Sequence, residues 1–175
     1  MTAEISPVFS AEQIAGRVHD LAAEIRRDAG DAEVFLLGIL KGTALFLADL
    51  LRAIPGDASF AFIDVVRDNA DQQIADAVEI DFLSFNDIRD RHVYLLKDVV
   101  HSGVIESYLF NQLRARGPAS LRLVALLDRP NARTIDVQAD FRAFTIDEDG
   151  TWVGYGLEQM RRFGNLPYIG RVPHA

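Results

Sequence analysis

Cysteine is absent from the chain, which excludes disulfides, thiolate metal ligands and a cysteine nucleophile together. A reducing cytoplasm is the compartment that fits. No apolar run reaches the roughly 20 residues a bilayer-spanning helix needs, and Met1 to Pro7 lacks the basic start and apolar stretch of a signal peptide. No basic run offsets the net charge of −8, which argues against broad nucleic-acid binding and makes a small-molecule ligand the expectation. Gly-x-Ser-x-Gly, GxGxxG and Walker-type loops are missing. His19, His92 and His174 show no metal-ligand spacing with another histidine or acid. There is no internal repeat, linker or low-complexity segment.

What is present is an ordinary globular composition. With 175 residues, 49% hydrophobic and 25% charged, the chain suffices for one domain with a sizeable core. Ser10-Ala-Glu-Gln13 has the form of a capping box, and Ile14, Val18, Leu21, Ala22 and Ile25 recur at helical spacing behind it, predicting a helix to about Asp28. Glu33 to Ile39 reads as a buried strand, Leu40-Lys41-Gly42 as a tight turn, and Thr43 to Ile54 as a second helix. Ser59 to Val66 is a strand. Arg67 to Asp76 is polar and unpatterned, a mobile loop by expectation. Val78, Ile80 and Phe82 alternate with acids, as on a half-exposed strand. Later come strands at Leu121 to Leu127, Phe141 to Ile146 and Thr151 to Gly156, then a tail from Glu158 without a clear period. Strands alternating with helices imply an α/β fold with a parallel sheet covered on both faces.

The stretch His92 to Ser107 organises the rest. A nearly continuous apolar strand, broken by Lys97-Asp98, runs into Ser102-Gly103 and then an amphipathic helix to about Arg116. A helix N-terminus leaves backbone N–H groups without intrahelical acceptors, so an anion can sit there. Ser102 adds a hydroxyl, and Gly103 permits a backbone conformation closed to other residues. Leu40 to Gly42 is a second strand–turn–helix junction, with Lys41 in its turn.

Five segments carry a resemblance when taken in order: Gly38-Ile-Leu-Lys-Gly42, Val99-Val-His-Ser-Gly103, Leu126-Leu-Asp-Arg-Pro130, Val153-Gly-Tyr-Gly-Leu157 and Asn165-Leu-Pro-Tyr-Ile-Gly170. Together they resemble the hypoxanthine-guanine phosphoribosyltransferases, over roughly Ser10 to Val172. The resemblance implies a type I phosphoribosyltransferase fold, a parallel sheet flanked by helices (core about residues 30–135) with a small hood from the termini (about 1–15 and 140–175). It implies a purine-salvage reaction joining a 6-oxopurine to phosphoribosyl pyrophosphate with Mg²⁺. It also implies a cytoplasmic homodimer or homotetramer, with no nucleic acid or membrane partner. By the same resemblance Leu40, Lys41 and Gly42 form the pyrophosphate loop, often with a cis peptide. Ser102, Gly103, Val104, Ile105 and Glu106 cradle the 5′-phosphate, and Lys97 and Asp98 face the ribose. Arg129, Trp152 and Val153 meet the base, His101 takes the catalytic position, and Asp98 with Glu158 would be the metal-side acids.

The reacting positions depart from that pattern. Lys97 replaces an acid of the ribose pair, His101 replaces a catalytic aspartate, and Ile105 replaces a hydroxyl residue. Thr151 holds the place of the base-stacking aromatic, Gly164 that of an arginine on pyrophosphate, and Glu158 that of an aspartate. The segment 67–76 lacks the Ser-Tyr pair that closes over the reaction in the family. An ammonium in place of a carboxylate should weaken metal binding, because Mg²⁺ wants oxygen ligands. Lys97 either touches phosphate or bridges to a neighbouring carboxylate, and His101 either moves a proton or caps the turn. These departures raise an alternative reading, a non-catalytic relative that binds a nucleotide or phosphate for regulation.

Overall fold

The structure, a computed structural model, describes residues 5–67, 78–81 and 87–172. Apart from Arg67, the segment expected to be a mobile loop lies outside the described residues. Nine strands and three helices follow in the order β1 (Ser6–Phe9), α1 (Ala11–Ala29), β2 (Val34–Ile39), α2 (Ala44–Ala53), β3 (Ala58–Arg67), β4 (Val78–Asp81), β5 (His92–Val100), α3 (Val104–Arg114), β6 (Ser120–Asp128), β7 (Phe141–Thr145), β8 (Thr151–Val153) and β9 (Ile169–Val172) among the described residues.

The capping box is formed in both directions. The Gln13 amide donates to Ser10 Oγ at 3.2 Å, and the Ser10 amide donates to Gln13 Oε1 at 2.8 Å. Behind it Ile14, Val18, Leu21, Ala22 and Ile25 are buried on one face of α1. The main sheet has the strand order β4-β3-β2-β5-β6-β7. All its pairs are parallel except β3–β4.

Its strands read as unbroken apolar runs because both faces are covered. Val34, Leu36, Tyr94, Leu96 and Val124 pack with α1 and α2, while Phe35, Leu37, Val93, Leu95 and Leu123 pack with Leu109 and Leu113 of α3. Each such side chain contributes roughly 1.5–3 kcal/mol on burial. The parallel register brings the C-terminal ends of β2, β5 and β6 to one edge, with Val100 opposite Asp128 and Leu96 opposite Gly38. Ligands of open parallel sheets bind outside that edge.

The chain ends form a second, antiparallel sheet in the order β1-β9-β8. Two of its strands have no counterpart in the sequence expectations. β1 and β9 are four residues each, too short to show a period, and they exist by pairing, β1 with β9 and β9 with β8 as well. β8 stops at Val153 instead of Gly156, because Gly154, Tyr155 and Gly156 all take positive φ (93°, 49° and 93°) and turn the chain. A Cβ at Gly154 would overlap the Tyr168 carbonyl, so only glycine fits there.

Candidate functional site

Two turns leave the sheet edge side by side. The first follows β2: the Leu40–Lys41 peptide is cis, the Leu40 amide donates to the Ile63 carbonyl at 2.9 Å, and the Ala44 amide donates to the Lys41 carbonyl at 3.1 Å. Lys41 is exposed. Thr43 is fully buried, and its hydroxyl donates to the Ile39 carbonyl at 2.6 Å, which ties the turn back to its strand.

Gly42 is squeezed from two sides. A Cβ there would overlap the Asp98 carboxylate, and its carbonyl oxygen lies 2.8 Å from where a Cβ on Gly156 would stand. The loop from the second sheet and the acid from β5 thus both close on residue 42.

The second turn follows β5. His101 is exposed, Ser102 and Gly103 bend, and α3 begins at Val104, so residues 101–103 are not part of the helix. Gly103 has φ 86°, in the left-handed region, and its missing Cβ faces the Ile135 carbonyl at 3.2 Å. Ser102 Oγ accepts from the Val104 amide at 3.4 Å. Val104 is exposed and Ile105 half-buried, and the amides of this first turn have no intrahelical acceptor. Glu106 is 3% exposed and shares the buried face of α3 with Leu109 and Leu113, so it offers the turn its amide and not its carboxylate.

Lys97 and Asp98 form an ion pair, Nζ to Oδ1, with side chains 17% and 23% exposed. The Val99 amide donates to the same Oδ1 at 2.8 Å. Of the two expectations for Lys97, the bridge to a neighbouring carboxylate is therefore formed. This bears on a divalent ion. One oxygen of Asp98 already has two donors and the other abuts Gly42. Glu158 is exposed beside Gly164. No cluster of three or more His, Asp or Glu that could hold a metal occurs among the described residues. A protein-held Mg²⁺ at Asp98 does not fit this donor set.

On the base side, Arg129 is only 11% exposed; its Nη2 pairs with Asp149, and its Nε is buried with no hydrogen-bond acceptor. Trp152 is not on this surface. The residue is 9% exposed, and its ring stacks with Phe9, centroids 6.4 Å apart, in the core cluster that holds Val124 and Leu126. What residue 152 can present to a ligand is backbone, since on a strand its side chain faces away from that of Thr151, which is half-buried. Val153 is fully buried.

Arg133 is the residue that sequence reasoning passed over as part of a loop. Its Nη1 donates to the carbonyls of Val100 and His101, both at 2.7 Å, and of Arg129 at 3.1 Å. Its Nε donates to the Val137 carbonyl at 2.9 Å, and its Nη2 pairs with Asp128, which is 2% exposed. One guanidinium therefore fixes the His101 turn, the Arg129 loop and the end of β6 together. An Arg five positions after an Asp at a strand end was the available signal. A cavity of about 310 Å³ lies beyond it, lined by Asp128, Arg133, Asp136 and Arg142 among others, but it includes neither the 40–42 turn nor the 101–106 turn.

The phosphoribosyl transferase domain family matches residues 6–159. A hypoxanthine-guanine phosphoribosyltransferase of Bacillus subtilis is 34% identical over 96% of this chain and 93% of its own. One from Mycobacterium tuberculosis is 35% identical over 98% of this chain and 90% of its own. Among solved structures, a hypoxanthine-guanine phosphoribosyltransferase of Bacillus anthracis superposes with a TM-score of 0.88 at 31% identity, covering 97% of this chain and 100% of that one.

Proposed function

This chain belongs to the hypoxanthine-guanine phosphoribosyltransferase family, and we propose that it joins a 6-oxopurine to the ribose of phosphoribosyl pyrophosphate in purine salvage. A ring nitrogen of the purine bonds to the sugar C1′ while the C1′–oxygen bond breaks. Diphosphate leaves with that electron pair. The observation that carries this reading is the pairing at one sheet edge of a glycine-hinged amide turn, Ser102 to Glu106, with a glycine turn, Leu40 to Gly42, joined by Asp98.

The residues divide the work as follows. The amides of Val104, Ile105 and Glu106, with Ser102 Oγ and the bend at Gly103, hold the 5′-phosphate at the positive end of α3. Lys41 and the backbone of Leu40 and Gly42 receive the diphosphate. Asp98 accepts from a ribose hydroxyl. Arg129 donates to the 6-oxo group of the base. The backbone of Trp152 and Val153 runs along the edge of the base. His101 takes the ring proton released as the new bond forms. Arg133, by gripping the His101 carbonyl, holds that imidazole at the mouth of the turn.

The reading treats the chain as one domain, with a core of about 30–135 and a hood from about 1–15 and 140–175, working in the cytoplasm as a homodimer or homotetramer. No helix among the described residues is long and apolar enough to cross a membrane. The relatives are transferases by name, which favours transfer over the non-catalytic alternative. The test is an assay of purified protein with phosphoribosyl pyrophosphate, Mg²⁺ and each of hypoxanthine, guanine and xanthine. Formation of a purine 5′-monophosphate with equimolar diphosphate is expected for at least one base; no nucleotide from any of the three would remove the proposal.

A further inference from the structure

Two carboxylates facing a phosphorylated sugar repel it unless a divalent ion stands between. That arrangement is not built here. The pair at the end of β5 is Lys97 with Asp98, one positive and one negative, ion-paired to each other and largely shielded from solvent. Asp98 is pressed against Gly42, so the Lys97 ammonium lies within one side chain of the turn assigned to the diphosphate. Lys41 stands in that same turn. The substrate's negative charge thus meets a side-chain pair of zero net charge, where two carboxylates would carry two negative charges, together with the Lys41 ammonium.

We propose that Lys97 supplies, as part of the polypeptide, the positive charge that a divalent ion would bring to the ribose and diphosphate, so that phosphoribosyl pyrophosphate binds this chain without a metal. The inference rests on the assignment of this edge as the phosphoribosyl pyrophosphate site. It goes beyond that assignment by stating which cation the bound state requires. An ammonium donating a charge-assisted hydrogen bond to a phosphate oxygen gives a contact whose loss weakens binding roughly tenfold or more. Any Mg²⁺ present arrives on the diphosphate of the substrate and is dispensable for binding. It also follows that restoring an acid at 97 re-creates a requirement the native pair has removed, since two adjacent carboxylates then need an ion to face an anion.

The test is calorimetric titration of phosphoribosyl pyrophosphate into the full chain, once with Mg²⁺ and once with excess chelator. The native protein is expected to bind in both, with affinities within about threefold of each other. Lys97→Glu is expected to bind with Mg²⁺ and to lose roughly tenfold or more in chelator. Lys97→Met, which removes the charge without adding an acid and keeps the length of the stem, is expected to weaken binding in chelator while retaining the fold by circular dichroism. Binding by the native chain in Mg²⁺ alone would overturn the inference and leave the transferase reading standing. Equal metal dependence in native and Lys97→Glu proteins would overturn it too. Absence of binding under both conditions would instead strike at the assignment of the site itself.

Discussion

Asp128 sits at the end of β6 with 2% exposure, between Arg133 and Arg142. A buried carboxylate stripped of its partner costs about 3–5 kcal/mol, and Arg142, 45% exposed and 3.2 Å away, recovers only part of that. Arg133→Met should therefore destabilise the protein by about 3 kcal/mol in urea unfolding. It should also lower turnover further than the stability loss explains, because the carbonyls of Val100 and His101 lose their donor. At His101 itself, loss of a general acid–base group is expected to lower turnover by about 10²–10⁴-fold in His101→Ala, with much of it restored in His101→Asp, as steady-state kinetics would show. Activity in His101→Ala equal to native would return this side chain to a capping role. The positions of these residues along the chain were legible from sequence. Their partners were not: nothing in Lys97-Asp98 as a string says whether the ammonium turns to its neighbour or to a ligand, and no local pattern ties Arg133 to carbonyls 32 and 33 positions away. Trp152 was placed beside the base by its motif; only the packing of Phe9 against it reveals where its ring points.

Among the elements, the junction of β5 and α3 depends on one left-handed residue. Gly103→Ala places a Cβ at φ 86° and 3.2 Å from the Ile135 carbonyl, a cost of about 1–2 kcal/mol. Nucleotide affinity should fall more than stability does, since the first-turn amides are re-aimed; unchanged affinity would show that the turn is not where the phosphate binds. At the opposite edge of the sheet, Glu33 accepts from Arg91 at 2.6 Å and from Ser59 at 2.5 Å, joining the starts of β2, β3 and β5. The Arg91 guanidinium, ahead of the Ser59 hydroxyl, holds the Glu33 carboxyl below the usual carboxylate range. A depressed pKa means that the unfolded chain takes up the proton first. The contribution of this group is then complete above the unfolded value near 4.3 and fades as pH falls through the folded one. Glu33→Gln should flatten that acid limb in a series of unfolding curves from pH 6 to pH 3, and an unchanged slope would place the acid sensitivity elsewhere. Long periodic elements such as α1 and the doubly covered strands were readable because burial imposes a period or a continuous apolar run. β1 and β9 were not, because four-residue strands draw their stability from partners elsewhere in the chain, for β1 one more than 150 positions away.

For the molecule as a whole, the terminal sheet reaches the edge of the main one where the candidate site lies. Among the contacts that make that connection, Gly156 lies against the Gly42 carbonyl, and the Tyr155 hydroxyl donates to Asp49 Oδ2 of α2 at 2.8 Å. Burial first, and then Asp49, pushes the Tyr155 hydroxyl above its ordinary range, so it stays protonated and donating across any working pH. Tyr155→Phe should cost about 1.5–3 kcal/mol in stability, the worth of a hydrogen bond to a charged group, and loosen the hood over residue 42. The general architecture was available from the alternation of elements, and the order of five short motifs pointed to the family; the closing of the hood on the 40–42 turn came only with the coordinates. The most direct measurement is a crystal structure of the protein with a purine 5′-monophosphate. The phosphorus is expected within hydrogen-bond reach of the amides of Val104 to Glu106, and the base beside Arg129. A nucleotide seated in the cavity between Asp128 and Arg142, or anywhere off that amide turn, would contradict it.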